Sequence, residues 1–248
     1  MRKLLGTLLV VGTLVAVPVL AQEPDPRAII EKAIKAHGGE KVLSKFTAAH
    51  SRSKGKIHLG AGLDFTSEED VQLPDKYRSA VMLDVNGMNI TITQVFNGTK
   101  GWIDAMGNVM ELDDKTTAEI KEILHASRVG NLVDVLQNKK FKLAPLGEIK
   151  VKDKDAVGVR VSFEGKRDVN VFFDKTSGLL LKTEGRGLDP VSKQEVNQEK
   201  FFADYHDVDG RKTPRKVEVH NDGKIFVEAE ILEIKLLEKL DDSTFKRP

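Results

Sequence analysis

The sequence predicts an α+β protein that is mainly β: one large, curved antiparallel sheet with helices laid over one of its faces. Three observations carry this. Apolar residues recur with period two over most of the chain, in runs bounded by Asn-Gly, Asp-Gly and related turn pairs. Helical periodicity is confined to a segment near the start and to one block in the middle. Nothing marks a linker between the runs, so a single domain over residues 22–248 is expected.

Residues 1–21 come first and read as a secretory signal peptide. Arg2 and Lys3 make a positive start, residues 4–20 are uncharged and rich in Leu and Val, and Val19 and Ala21 fill the small-residue places of a cleavage site. As a membrane anchor the run falls short of the roughly 20 apolar residues of a span, and Gly6, Gly12 and Pro18 interrupt it. Cleavage near Ala21 and a periplasmic or secreted destination are the expectation.

A helix then starts at Asp25, a side-chain cap, with Pro26 at the first helical position. Ile29, Ile30, Ala33, Ile34 and His37 share one face, Gly38-Gly39 ends the helix, and a short turn of helix follows over residues 40–45. From Phe46 the period shortens. Ile57 and Leu59, then Val71 and Leu73, alternate with polar neighbours. Val81, Leu83 and Val85 meet Met88, Ile90 and Ile92 across Asn86-Gly87, so residues 77–96 form a hairpin. Asn97-Gly98 and Gly107-Asn108 extend it into a meander.

Residues 115–137 break that rhythm. Ile120, Ile123, Leu124, Val129, Leu132, Val133 and Leu136 fit one or two amphipathic helices bent near residues 127–130. Strands resume at Val157, Val159, Val161 and Phe163, continue through Val169, Val171, Phe173, Leu179 and Leu181, and close with 193–205, 213–220 and 224–236. About ten or eleven strands result, and a sheet that wide must curl.

Composition narrows the chemistry. The chain has no cysteine, which excludes disulfides, thiolate metal sites, a Cys nucleophile and its own acylation. Removing Arg2 and Lys3 leaves 37 basic against 38 acidic residues. That balance lacks the basic stripe of a nucleic-acid partner. Six histidines, His37, His50, His58, His125, His206 and His220, show no metal-ligand spacing and read as surface or helix-end residues. Asp204, Asp207, Asp209 and Gly210 resemble a calcium loop only briefly: Tyr205 and Lys216 stand where ligands belong, and Asp209-Gly210 reads as a tight turn. Glu68, Glu69 and Asp70 read as a solvated strand end. No nucleophile elbow, phosphate loop or dinucleotide fingerprint appears, so neither an enzyme nor a cofactor is expected.

The order of elements carries a resemblance. A helix ending His37-Gly38-Gly39 leads into a meander holding Val71-Gln72-Leu73-Pro74-Asp75-Lys76-Tyr77-Arg78 and Phe96-Asn97-Gly98-Thr99-Lys100-Gly101-Trp102. After the helical insertion come Phe172-Phe173-Asp174, Gly178-Leu179-Leu180, and the run from Phe201 through Asp209-Gly210 to Pro214. This resembles the LolA/LolB-like family of periplasmic lipoprotein-sorting proteins over nearly the whole chain after the leader. The resemblance implies a half-open β-barrel with helices as a lid. It also implies an apolar cavity that shelters lipid or the acyl chains of a lipoprotein. Each buried methylene contributes roughly 0.8 kcal/mol, so such a site needs no polar motif. The chain is longer than the compact carriers, and neither a docking arginine nor a protruding apolar loop matches, so hydrophobic-ligand binding is the expectation rather than lipoprotein trafficking itself.

The expected cavity lining is the inward set Val81, Leu83, Ile90, Ile92, Phe96 and Trp102, facing Ile120, Ile123 and Leu124 of the lid. The expected partners are lipid or an acylated protein, with an envelope protein as a second class; the chain itself is expected to be a monomer without a lipid anchor or metal. A sensing or docking module on the same fold is the alternative, and a secreted hydrolase a third.

Overall fold

A computed structural model describes residues 24–85, 87–190 and 192–248; the expected leader and the Asn86 half of the hairpin turn lie outside them. Helix α1 (Pro26–Ala36) begins as its sequence requires. The Asp25 side chain accepts from the Arg27 amide at 3.0 Å, Pro26 opens the first turn, and Ile29, Ile30, Ala33 and Ile34 are buried. Gly38 and Gly39 take φ of 119° and 84°, turning the chain into α2 (Glu40–Lys45). A Cβ on Gly38 would lie 2.2 Å from the Gly210 carbonyl oxygen, so only glycine lets this corner seat where it does.

Six strands follow: β1 (Ala48–Ile57), β2 (Leu63–Gln72), β3 (Lys76–Val85), β4 (Met88–Phe96), β5 (Gly101–Ala105) and β6 (Asn108–Glu111). Helices α3 (Asp114–Gly130) and α4 (Val133–Gln137) come next, separated at Leu132 by a φ of 68°. Seven further strands complete the chain: β7 (Phe141–Val151), β8 (Lys154–Phe163), β9 (Val169–Asp174), β10 (Leu180–Leu188), β11 (Glu195–Val208), β12 (Arg211–Asn221) and β13 (Lys224–Leu237). The two meanders join where β13 pairs antiparallel with β1. One thirteen-stranded sheet results, in the order β6-β5-β4-β3-β2-β1-β13-β12-β11-β10-β9-β8-β7. Its edges, β6 and β7, do not pair with each other, so the sheet does not close.

Packing on α3 shows how far the sheet curls. Ile120 and Leu124 of α3 pack on Tyr77 of β3 and Phe96 of β4, near one edge. Val129, at the end of the same helix, joins a core with Val159, Val161 and Val171 of β8 and β9, near the other edge. One helix reaches both only if the edges bend toward it. Residues 112–140 therefore bridge the two edges, and the helices they contain lie over the concave face.

Cross-strand register fixes which residues share that face. Ala49, Val71, Tyr77 and Phe96 stand opposite one another on successive strands. Because Val71, Tyr77 and Phe96 touch α3, theirs is the concave side. The outer face of β1, β2, β12 and β13 is charged, with Lys54–Glu230 and Lys56–Asp64 each at 3.3 Å.

Strand β7 breaks the alternation its neighbours show, because Pro145 and Gly147 flank a bulge in its pairing with β8. Asp209 and Gly210 form the expected tight turn between β11 and β12, with φ of 50° and 84° and the Gly210 amide donating to Asp207 Oδ1 at 3.0 Å.

Candidate functional site

The concave face carries apolar side chains beyond the reach of α3. Val81 and Leu83 of β3 lie opposite Ile92 and Ile90 of β4, and Leu83 lies opposite Phe65 of β2. All five are partly buried, whereas Met82, on the other face of β3, is 39% exposed. Across the bend Val217, Val219 and Val227 continue the apolar surface on β12 and β13. Met88 and Met110 extend it to the β6 edge, 64% and 51% exposed. A cleft of about 670 Å³ opens where β1, β2, β12 and β13 run together, and its wall is largely charged, with Lys54, Lys56, Asp64, Glu228 and Glu230 beside Gly55, Phe65, Val217 and Ala229.

The expected lining divides into three groups. Val81, Leu83, Ile90 and Ile92 form the open surface just described. Phe96, Ile120 and Leu124 are 1–2% exposed and, with Ile123 beside them, make a closed core between β4 and α3. Trp102 is a correction. It pairs with Val95, not with Phe96, and so faces outward with Arg78, Asp70 and His50. Its neighbour Gly101 holds the inward place, where Leu112 packs against it.

Helix α3 is tied down along its polar side. Glu119 accepts from Arg167 Nη1 at 2.7 Å and from the Leu188 amide at 3.1 Å. One turn on, Glu122 accepts from Lys166 Nζ and from the Arg167 amide, each at 3.0 Å. With α3 seated, the space beneath it is divided. A cavity of about 240 Å³ lies against Phe96, Leu124 and Phe163, one of about 170 Å³ against Val71 and Leu73, and one of about 60 Å³ beside Lys200. Each is smaller than the roughly 300–1,000 Å³ of a small-molecule pocket. An acyl chain occupying this space must displace α3.

Polar groups also face inward. Lys200 of β11 and Glu69 of β2 approach across the bend, and Glu119 adds a third charge. Burial lifts the Glu69 carboxyl above its usual range, with Lys200 partly offsetting it and Tyr77 hydrogen-bonded to it. Burial likewise lowers the Lys200 ammonium. Glu69 is therefore not the solvated residue expected, and neither is Asp70, which is 4% exposed between His50 at 2.8 Å and Arg78 at 3.0 Å. His125 also departs from expectation. It sits inside α3, stacks on Phe141 at 6.0 Å, and burial lowers its pKa. Among the described residues no group of three metal-ligating side chains comes together.

This arrangement has known counterparts. The backbone superposes on a LolA superfamily protein from Nitrosomonas europaea with a TM-score of 0.54 at 11% identity, covering 89% of this chain and 97% of that one. The fold is LolA-like. A domain from Vibrio parahaemolyticus named for outer membrane lipoprotein sorting gives the same TM-score, 0.54, at 11% identity, covering 89% of this chain and 97% of that one. A DUF1329 family protein from Desulfovibrio piger gives 0.55 at 16% identity, covering 90% of this chain and 98% of that one. No family model and no curated protein sequence matches the chain. The LolA-like likeness is thus one of architecture.

Proposed function

We propose that this protein binds the acyl part of a lipid or lipoprotein on its concave face and carries it through an aqueous compartment outside the cytoplasm. The observation that carries this reading is the apolar surface of Val81, Leu83, Ile90 and Ile92, left half-open beside a helix that covers the rest of an unclosed sheet. An open edge would otherwise expose apolar side chains to water without return. About ten methylenes transferred onto that surface contribute roughly 8 kcal/mol, enough for micromolar binding before ordering costs are subtracted. Binding of this kind requires no catalytic group, and the protein acts by sequestering its ligand rather than transforming it. The leader over residues 1–21 supplies the route of export, and the single domain over residues 22–248 works as a monomer, since a shuttle must diffuse. Purification from the compartment where the protein matures, followed by solvent extraction and mass spectrometry, tests the reading. Stoichiometric co-purifying lipid supports it; protein that emerges free of lipid and fails to bind an acyl probe contradicts it.

A further inference from the structure

Among the described residues, the concave side holds a cation with no carboxylate acting on it. Arg211 opens β12 and lies on the concave side by alternation with Thr213 and Val217. It is partly buried, and among the described residues its guanidinium forms no hydrogen bond and no ion pair. The groups that act on it are the His37 ring and the Tyr205 phenol. Burial keeps both neutral, by lowering the pKa of the first and raising that of the second. Burial also works against the charge of Arg211 itself.

A cavity of about 170 Å³ opens beside Arg211, walled by Ala49, Val71 and Leu73 and, on the α3 side, by Ser127 and Asn131. Asn131 is 8% exposed, and its side-chain oxygen has no hydrogen-bond partner. Two residues along β12 the Thr213 hydroxyl, on a side chain 4% exposed, is likewise unpartnered. The C-terminal end of α3 offsets part of the positive charge through its dipole but supplies no hydrogen bond. A guanidinium offers a planar fork of donors that matches carboxylate and phosphate oxygens. Kept unpaired in a partly apolar cavity, it destabilises the empty protein, so its natural complement is an anion brought from outside.

We propose that the Arg211 cavity receives the single acidic group, carboxylate or phosphate, of the molecule whose acyl part lies on the concave face. This rests on the lipid-binding reading above and adds a requirement for a negatively charged head. The cavity is too small for an acyl chain and large enough for one such group, which places the charge at the α3 end of the concave face and the chain along the open strands.

Calorimetric titration of the purified protein with dihexanoyl phosphatidic acid, the matching uncharged dihexanoylglycerol, and inorganic phosphate tests it. The phosphatidic acid binds about tenfold or more tightly than the diacylglycerol, and Arg211→Gln erases that preference. Equal affinity for the two lipids, or a preference that survives Arg211→Gln, overturns the proposal while the lipid-binding reading stands. Inorganic phosphate binding as tightly as phosphatidic acid assigns the site to a free anion and overturns it too. Binding of neither lipid overturns both. Thermal unfolding guards against a folding artefact: Arg211→Gln and Arg211→Met hold or raise the midpoint of the empty protein, whereas a fall of several degrees in both makes Arg211 structural and removes the proposal.

Discussion

His37 Nε2 accepts a hydrogen bond from the Leu180 amide at 3.4 Å, tying the end of α1 to the start of β10. The other ring nitrogen, Nδ1, lies 2.8 Å from the Ala33 carbonyl and must donate to it. The ring that makes both bonds is neutral. Burial holds its pKa below the ordinary value, the Ala33 carbonyl opposes this, and the Arg211 charge adds to it. The folded state therefore binds fewer protons here than the unfolded state as pH falls below about 6.5, so stability is lost as pH drops through that value toward the folded pKa. Urea midpoints at pH 7.5 and 5.5 check this against His37→Gln, whose amide can make both bonds without titrating. Relative to that variant, the wild type weakens at the lower pH; a constant difference between the two contradicts the assignment.

Gly38 and Gly39 both have positive φ, but only Gly38 meets a wall. A Cβ there falls 2.2 Å from the Gly210 oxygen, whereas one on Gly39 has nothing within 4 Å. Gly39→Ala is expected to cost about 1–2 kcal/mol, the backbone penalty alone. Gly38→Ala adds the displacement of the β11–β12 turn and costs distinctly more, about 3 kcal/mol or above. Chemical denaturation measures both, and equal losses would mean that the corner is not tightly seated.

The carboxylates of Glu119 and Glu122 tie α3 to the β8–β9 connection and to the end of β10. Together they accept four bonds from Arg167, Lys166 and Leu188. Charge-assisted bonds of this kind contribute about 1.5–3 kcal/mol each. The double variant Glu119→Gln, Glu122→Gln is expected to speed amide exchange in residues 114–130 by about tenfold or more, with β11–β13 unchanged. Hydrogen-exchange mass spectrometry reads this directly, and unchanged exchange in α3 would show that apolar packing alone holds it.

Local features of the chain are legible because they obey short-range rules. Asp25-Pro26 starts α1, Gly38-Gly39 ends it, and Asp209-Gly210 turns the chain, each through backbone preferences within a few residues. The face of Trp102 is not legible. Apolar residues on β4 and β5 occupy both sides, since Val95 on the outer face is as buried as Phe96 on the inner one. Hydrophobic alternation then carries no sign. The turn of residues 242–245 contributes to this by docking on β3, with Lys76 and Asp242 paired at 2.7 Å and Phe245 buried. The inward groups Lys200, Glu69 and Arg211 stay hidden for a different reason. The approach of Lys200 to Glu69, and of Arg211 to Val71 and Leu73, depends on the pairing of β1 with β13, whose partners Ala48 and Leu237 stand 189 residues apart, and on the curl that follows.

The central claim is that ligand binds on the concave face of β3 and β4. Fluorescence titration with a dansylated fatty acid, run on Leu83→Asp, Ile92→Asp and the outer-face control Met82→Asp, tests it most directly. A buried charge opposite an acyl chain should abolish binding in the first two, while Met82→Asp on the same strand binds as the wild type does. Equal binding by all three variants would contradict the account.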